Sequence, residues 1–315
     1  MEIRAIKEGD EEGIRSLFSA CFGKELSREE WVWKYRRSPW GATASVAVEG
    51  GEIVAHYGGI RMEFFFRGRI FHVYQPCDVM THPRYRARIF SRKGAMVRAA
   101  EHFYATNPMD FAFGFASERH SILGTKQLGY TKHNHVRVLT RKVTSSGLLW
   151  RLLLKVKRGW GSIEGGDLDS LWEKVRDYHG LSIMKSSRYL FWRYRDRPAK
   201  EYLPLTIGSR QKNAPIAFAV ISLGEADMCV LDFLCTETLR AGTLLKVLER
   251  IAIEHGRKNL VLWTHQGDPL FGTLVSKGFV EQKGIPNSFK VMSDTVDVPF
   301  LIENYWYWMG DYDAS

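Results

Sequence analysis

The 315-residue chain predicts an α/β protein of the α+β kind, built as two tandem copies of one domain, each a mixed, mostly antiparallel sheet flanked by helices. Three pairs of landmarks point to the copies. "WKYRRSP" at residues 33–39 returns as "WRYRDRP" at 192–198, an interval of 159 residues. "CDVMTHP" and "LDFLCTE" place Asp78 and Asp232 inside apolar runs 154 residues apart. "QLGY" and "SKGF" close short helical segments at Tyr130 and Phe279, 149 residues apart. Landmarks that recur in one order at nearly one spacing mark a duplicated unit, and a chain of this length can bury two separate cores.

In the first half, "EIRAI" is a short strand. The acidic "GDEEGIRSLFSACFG" follows as a helix, with Ile14, Leu17 and Phe18 on one face. From Ala44 to Thr81 the chain alternates as successive strands, with turns at Gly50-Gly51 and Gly68. "SRKGAMVRAAEHFYA" is a helix, "DFAFGFAS" a strand, "ERHSILGTKQLGY" a short helix and "HVRVLTRKV" a closing strand. The second half repeats the pattern. "YLPLTIGS", "PIAFAVISL" and "MCVLDFLCT" are strands and "TLLKVLERIAIEHG" is a helix, and "NLVLWTH", "DPLFGTLVSKGF" and "SFKVMS" supply strand, helix and strand. The implied division is a first domain at 1–141, a linker with an amphipathic helix at 142–180, and a second domain with an aromatic tail at 181–315.

With 45% hydrophobic and 25% charged residues the composition is that of a globular protein, not a disordered one. Cys21, Cys77, Cys229 and Cys235 form no CxxC pair, which predicts reduced thiols in a cytoplasmic protein. The charged start "MEIRAIKEGD" argues against export. The net charge of +10 is concentrated between Arg84 and Arg98, where "RYRARIFSRKGAMVR" joins a strand to a helix. Helix N-termini in such junctions bind phosphates, because free N–H groups and the positive dipole end face the ligand. Nucleic acid is not expected as a partner, since the aromatic residues follow core positions rather than a basic stacking face. "GLLWRLLLKVKRGWG" at 147–161 fits a helix packed between domains better than contact with a membrane surface.

The order of elements, the "HP.YR" turn and the "LGY/KGF" endings resemble the GNAT superfamily of acetyl-CoA-dependent acyltransferases. "IVAHYGGI", "DVMTHPRYRARIF", "GFASERHS" and "QLGY" are similar to GNATs of bacterial polysaccharide gene clusters, as are the early "W.W.Y...P" segment and the tail "YWYWMGDYD". The resemblance implies transfer of an acetyl group from acetyl-CoA to an amine on a small-molecule acceptor, with no metal. The gene-cluster likeness implies an amino sugar or amino-acid-like acceptor in surface polysaccharide synthesis.

Carried onto this sequence, the resemblance puts the cofactor against Met80 and Thr81, the loop Arg86, Ala87, Arg88, Ile89, Phe90 and Ser91, and His120 and Ser121. The loop departs from the family pattern: Ala87 stands where a glycine is expected, and a second glycine is missing before Ile89. Glycine there lets backbone N–H groups approach a pyrophosphate, so Arg86, Arg88 and Arg92 would have to replace them with charge. "TETLRAGTLLK" in the second half lacks both glycines, which assigns that half a structural or acceptor-binding role. The phenol that often protonates the departing thiolate is also missing, since Thr125 and Leu274 occupy its positions. His56 and Asp78 are the leading candidate bases, ahead of Glu118 and His120. Trp33 and Tyr35 are candidate stacking surfaces for the acceptor. The alternative is a non-catalytic binding protein that kept the fold after its cofactor loop decayed.

Overall fold

The structure is a computed structural model that describes residues 1–88, 94–144, 154–210, 214–236, 241–265, 267, 268 and 270–313; the side chains of Ala87, Arg88, Arg119, His120, His133 and Ala241 are outside the description. In chain order the first half holds β1 (Glu2–Ala5), α1 (Glu11–Phe22), α2 (Arg28–Tyr35), β2 (Ala42–Glu49), β3 (Glu52–Phe66), β4 (Arg69–Thr81), a 3-10 turn (Pro83–Arg88), α3 (Ala95–Thr106), β5 (Phe111–Phe115), α4 (Glu118–Gln127) and β6 (Thr131–Lys142). The second half holds β7 (Leu154–Arg158), α5 (Gly165–Val175), β8 (Ser182–Ile183), α6 (Ser187–Leu190), β9 (Leu203–Ser209), β10 (Pro215–Leu223) and β11 (Asp227–Cys235), then α7 (Ala241–Glu254), β12 (Asn259–Thr264), α8 (Phe271–Ser276), β13 (Val280–Val291) and α9 (Val298–Asn304).

The chain forms two compact units that are not contiguous in sequence. The first comprises Met1–Phe64, Ile70–Asn134 and Ile285–Leu301, and the second Phe65–Arg69, His135–Gly284 and Ile302–Ser315. The expected boundaries at 141 and 181 therefore give way to an interleaved division. Where the sequence suggested a linker with an amphipathic helix, the structure has strand β7 at Leu154–Arg158 and helix α5 at Gly165–Val175. Residues 145–153 of that stretch lie outside the described residues.

Strands of the first unit run β1-β2-β3-β4-β5-β13, with β4 parallel to β5 and β13 antiparallel to it. Those of the second run β7-β9-β10-β11-β12-β6, with β11 parallel to β12 and β6 antiparallel to it. The two orders correspond strand for strand, except that each unit's last strand is drawn from the other half of the sequence. Backbone pairing permits this because any strand of suitable length satisfies an edge.

One helix dominates each core. Met96, Val97, Ala100 and Phe103 of α3 pack on Ala47, Val54, Tyr57 and Ala112 in the first unit. Leu244, Leu245, Leu248 and Ile251 of α7 pack on Leu205, Ile207, Ala219 and Leu260 in the second. The 3.6-residue period of both helices puts these side chains on one stripe.

The repeated aromatic motif has the same physical task in both units. Ser27 caps α2 by accepting from the Glu30 N–H, and Ser186 caps α6 by accepting from the Tyr189 N–H. Each helix ends in the motif, the second through a π turn at Phe191–Arg195. The Tyr35 hydroxyl then donates to Asp78 at 2.9 Å, and the Tyr194 hydroxyl to Asp232 at 2.7 Å. A buried carboxylate needs a cation as well. Lys34 supplies it to Asp78 at 3.0 Å, whereas Lys185 supplies it to Asp232 at 2.9 Å and also binds Asp311 at 2.5 Å. Burial pulls the Lys185 ammonium toward the neutral form, but the two carboxylates outweigh it and its pKa is raised.

Trp33 and Tyr35 are 3% and 5% exposed. Both are buried in the first unit, so neither candidate stacking surface presents an open ring face in this structure.

Lys185→Met should be among the most damaging single changes. It leaves Asp232 and Asp311 buried without their cation, and the expected loss is about 3–5 kcal/mol of unfolding free energy in urea. A loss under about 1 kcal/mol would show that Lys185 is not what neutralises the pair.

Candidate functional site

The parallel ladder between β4 and β5 runs through Val73–Phe111 and Tyr74–Ala112. β4 continues to Thr81 and β5 to Phe115. Among the described residues their ladder does not extend with them, so two parallel strands part and leave backbone groups along β4 facing a gap. Such a switch point, outside the carboxyl ends of parallel strands, is a ligand position in α/β sheets.

Asp78 sits on β4 beside the gap. Its φ of +47° is unusual for a residue with a side chain and bends the strand away from regular pairing. The surrounding groups hold it there. Its two oxygens accept from Lys34 and Tyr35, and its backbone carbonyl accepts from His56 Nδ1 at 2.7 Å. Gly58 makes room: a Cβ there would strike the Tyr35 hydroxyl and lie 2.8 Å from both the Cys77 carbonyl and the His56 ring. The Tyr35 phenol is raised well above its ordinary range, chiefly by burial and then by the Asp78 charge, so it remains a donor.

These contacts separate the two candidate bases. Both carboxylate oxygens of Asp78 accept hydrogen bonds, from Lys34 and Tyr35, and its side chain is 6% exposed. His56 is fully buried with Nδ1–H donated, which fixes the tautomer and leaves Nε2 as an acceptor with no partner. Burial lowers its pKa below 6.5, against the opposing pull of Asp78. The imidazole is therefore neutral near pH 7.

On the proposed cofactor side, Met80 and Thr81 are buried at the end of β4, and Thr81 Oγ1 has no partner. Arg86 does not point freely into solvent: its guanidinium donates to the carbonyls of Thr81 at 3.1 Å and Cys21 at 3.4 Å, tying the 3-10 turn to β4 and α1. Gly94 precedes the first turn of α3 in extended conformation, so the N-terminal N–H groups of that helix follow directly on the basic loop. Ile89, Phe90 and Ser91 lie outside the described residues, as do the side chains of Ala87, Arg88 and His120. Ser121 is buried in the first turns of α4, where its carbonyl accepts from Thr125.

The matching gap of the second unit is filled by its own chain. β11 and β12 pair from Asp227–Asn259 to Val230–Leu262, and β11 continues to Cys235 with an irregularity just before Asp232. Over that continuation lies the tail. Gly310 has no room for a Cβ, which would lie 3.0 Å from the Leu231 carbonyl and strike the Tyr194 hydroxyl. Arg193 donates to the carbonyls of Gly310 at 2.9 Å and Tyr312 at 2.6 Å. Tyr312 stacks on Trp263 at the end of β12, and Trp306 on His265 at 4.3 Å. Sequence reasoning noticed the "GD.D" tail but not its task, and it missed Lys185 altogether.

Residues 2–132 match the family model described as an acetyltransferase (GNAT) domain. A conserved protein of Enterococcus faecalis V583, described as a probable N-acyltransferase, is similar at a TM-score of 0.68 and 10% identity, over 96% of this chain and 74% of that one. A GCN5-related N-acetyltransferase from Anabaena variabilis is similar at 0.70 and 11% identity, over 93% and 73%. A tandem GNAT protein from the clavulanic acid biosynthesis pathway is similar at 0.56 and 12% identity, over 94% and 99%. No curated protein sequence matches the chain. Residues 2–132 thus resemble a GNAT acetyltransferase domain, and the chain has the fold of a tandem GNAT protein.

Tyr35→Phe tests the clasp at Asp78. Removing a hydroxyl that donates to a buried carboxylate should cost about 1.5–3 kcal/mol of unfolding free energy. An unchanged urea midpoint would mean that Lys34 alone holds Asp78.

Proposed function

We propose that the first unit is an N-acyltransferase that moves an acetyl group from acetyl-CoA to an amine of a small-molecule acceptor. The observation that carries this reading is the parting of β4 and β5 after Tyr74–Ala112, immediately ahead of a basic loop and the N-terminus of α3. The residues present fit the donor: the β4 edge beyond its last pair with β5 suits an amide-bearing arm, Thr81 Oγ1 is buried without a partner, and the α3 N-terminus suits a pyrophosphate. Acetyl-CoA, when bound, supplies a thioester whose carbonyl carbon forms the new C–N bond as its C–S bond breaks and the thiolate departs.

The chain contributes orientation and a proton acceptor. As an amine adds to a carbonyl its N–H becomes acidic, and His56 Nε2 is the base we assign to that proton. Asp78, through its carbonyl, holds the imidazole in the tautomer that keeps Nε2 free. The filled gap of the second unit supports one donor site per chain. No helix among the described residues is long and apolar enough to cross a membrane, and we place the reaction in the cytoplasm, where the donor is made. Amino sugars and amino-acid-like amines are the first acceptors to assay. One observation favours the non-catalytic alternative, namely that Arg86 is committed to backbone carbonyls rather than to a ligand.

Calorimetric titration with acetyl-CoA should give one site per chain, and about 2.7 kcal/mol of stabilisation at a hundredfold excess over Kd. Failure to bind leaves the non-catalytic reading.

His56→Gln should lower kcat about 10²-fold or more while leaving donor affinity unchanged. Because burial lowers the His56 pKa, the base stays competent through neutrality, and kcat should fall only as the pH drops below 6.5. A variant that retains both the rate and that acid limb would remove His56 from the mechanism.

A further inference from the structure

β13 brings a residue from the far end of the sequence to the gap of the first unit. Asn287 pairs with Phe115, three residues beyond the last β4–β5 pair at Ala112. Counting the same three residues along β4 from Tyr74 reaches Cys77, next to Asp78. Asn287 therefore stands at the level where the strands have already parted, one strand beyond β5.

Its face is fixed by alternation. Phe289, two residues on, lies against Phe111, and Phe111 and Phe113 lie against Phe64 of β3 at 5.5 and 5.2 Å. Phe64 shares a face with His56 and Gly58, the glycine packed against Tyr35, while Gly59 on the opposite face meets Phe103 of α3. Asn287 and His56 thus belong to one face of the sheet, on opposite sides of the gap. Lys290, of opposite parity, instead donates to the Leu128 carbonyl at the end of α4.

Asn287 is fully buried, and neither Nδ2 nor Oδ1 has a hydrogen-bond partner. Leaving such an amide unsatisfied costs about 1–3 kcal/mol for each group. A leucine would occupy nearly the same volume among these phenylalanines at no such cost. His56 Nε2 is unsatisfied on the same face. Two unmet polar side chains thus share one face of the sheet, with the Lys34, Tyr35 and Asp78 cluster beside His56 and Phe115 of β5 beside Asn287, and each is open to a hydrogen bond from an incoming polar molecule.

We propose that Asn287 is a specificity-determining residue whose amide hydrogen-bonds a neutral polar group of the acceptor, a hydroxyl or carboxamide carried near the reacting amine; this rests on the acyltransferase reading of the first unit. The amide offers both a donor and an acceptor, which matches a hydroxyl. A carboxylate is disfavoured, because Asn287 brings no charge to offset the burial of one among Phe113, Phe115 and Phe289. The acceptor class narrows to hydroxylated amines of the amino-sugar kind, ahead of amino acids.

The test compares a 2-amino-2-deoxyhexose, cyclohexylamine and glycine as acceptors, for wild type and for Asn287→Leu and Asn287→Ala, with melting temperature and acetyl-CoA affinity measured in parallel. Wild type should prefer the amino sugar over cyclohexylamine by at least about 10²-fold in kcat/KM, since a site built to bond a hydroxyl rejects an analogue lacking it. Asn287→Leu should erase that preference through acceptor KM, with donor affinity unchanged and the melting temperature equal or higher. Asn287→Ala should erase it too, so a leucine variant that misfolds does not rescue the idea. A preference that survives either folded variant, or a wild type that favours glycine, overturns the proposal while leaving the acyltransferase reading intact. A wild type that binds acetyl-CoA but acetylates none of the three and no other amine overturns both.

Discussion

The burial of one aspartate in each unit is the constraint on which the rest of this structure depends. A carboxylate in the interior is tolerable only with a cation and further hydrogen bonds. The tyrosine of the repeated motif meets half of that need identically in both units, through Tyr35 at Asp78 and Tyr194 at Asp232. The cation is where the copies diverge. In the first unit it comes from the motif itself, Lys34, so the clasp is complete and local. In the second, the motif residue Arg193 binds the tail carbonyls instead, and Lys185 serves Asp232 together with Asp311 from the tail. A change in which cation serves the acid thus accompanies the presence of the C-terminal tail over β11 in the second unit.

The closing strands add a second asymmetry. β5 and β12 each present an edge that an antiparallel partner must cover, and in each case the partner comes from the other half of the sequence. The outcome for function is that a residue near the C-terminus, Asn287, stands beside a gap otherwise built from the first half. Duplication therefore supplied more than a redundant domain: its last strand completes the first unit, while its own gap is occupied by Gly310, Tyr312 and neighbouring aromatics.

Much of this was legible in the residues. The Gly50-Gly51 turn falls between β2 and β3 and Gly68 between β3 and β4, each glycine with positive φ, as alternation and turn chemistry require. The stripes of α3 and α7 were legible from their period, and the repeat was legible from its aromatic and acidic landmarks. Within the site, the sequence singled out His56 and Asp78 together, whereas the partners brought to them from α2 and from the bend in β4 are visible only in the structure.

Local pattern, then, determined most of the strands, the central helices and the tandem architecture, because periodicity and turn chemistry are properties of neighbouring residues. Tertiary structure alone decided which strand closes which sheet, since backbone hydrogen bonds are nearly blind to side-chain identity. It alone buried Trp33 and Tyr35, joined Lys185 to Asp311 across the second unit, and left Asn287 and His56 without partners beside the gap. Burial and pairing depend on what the whole chain brings to a place, and no short stretch of sequence carries that information.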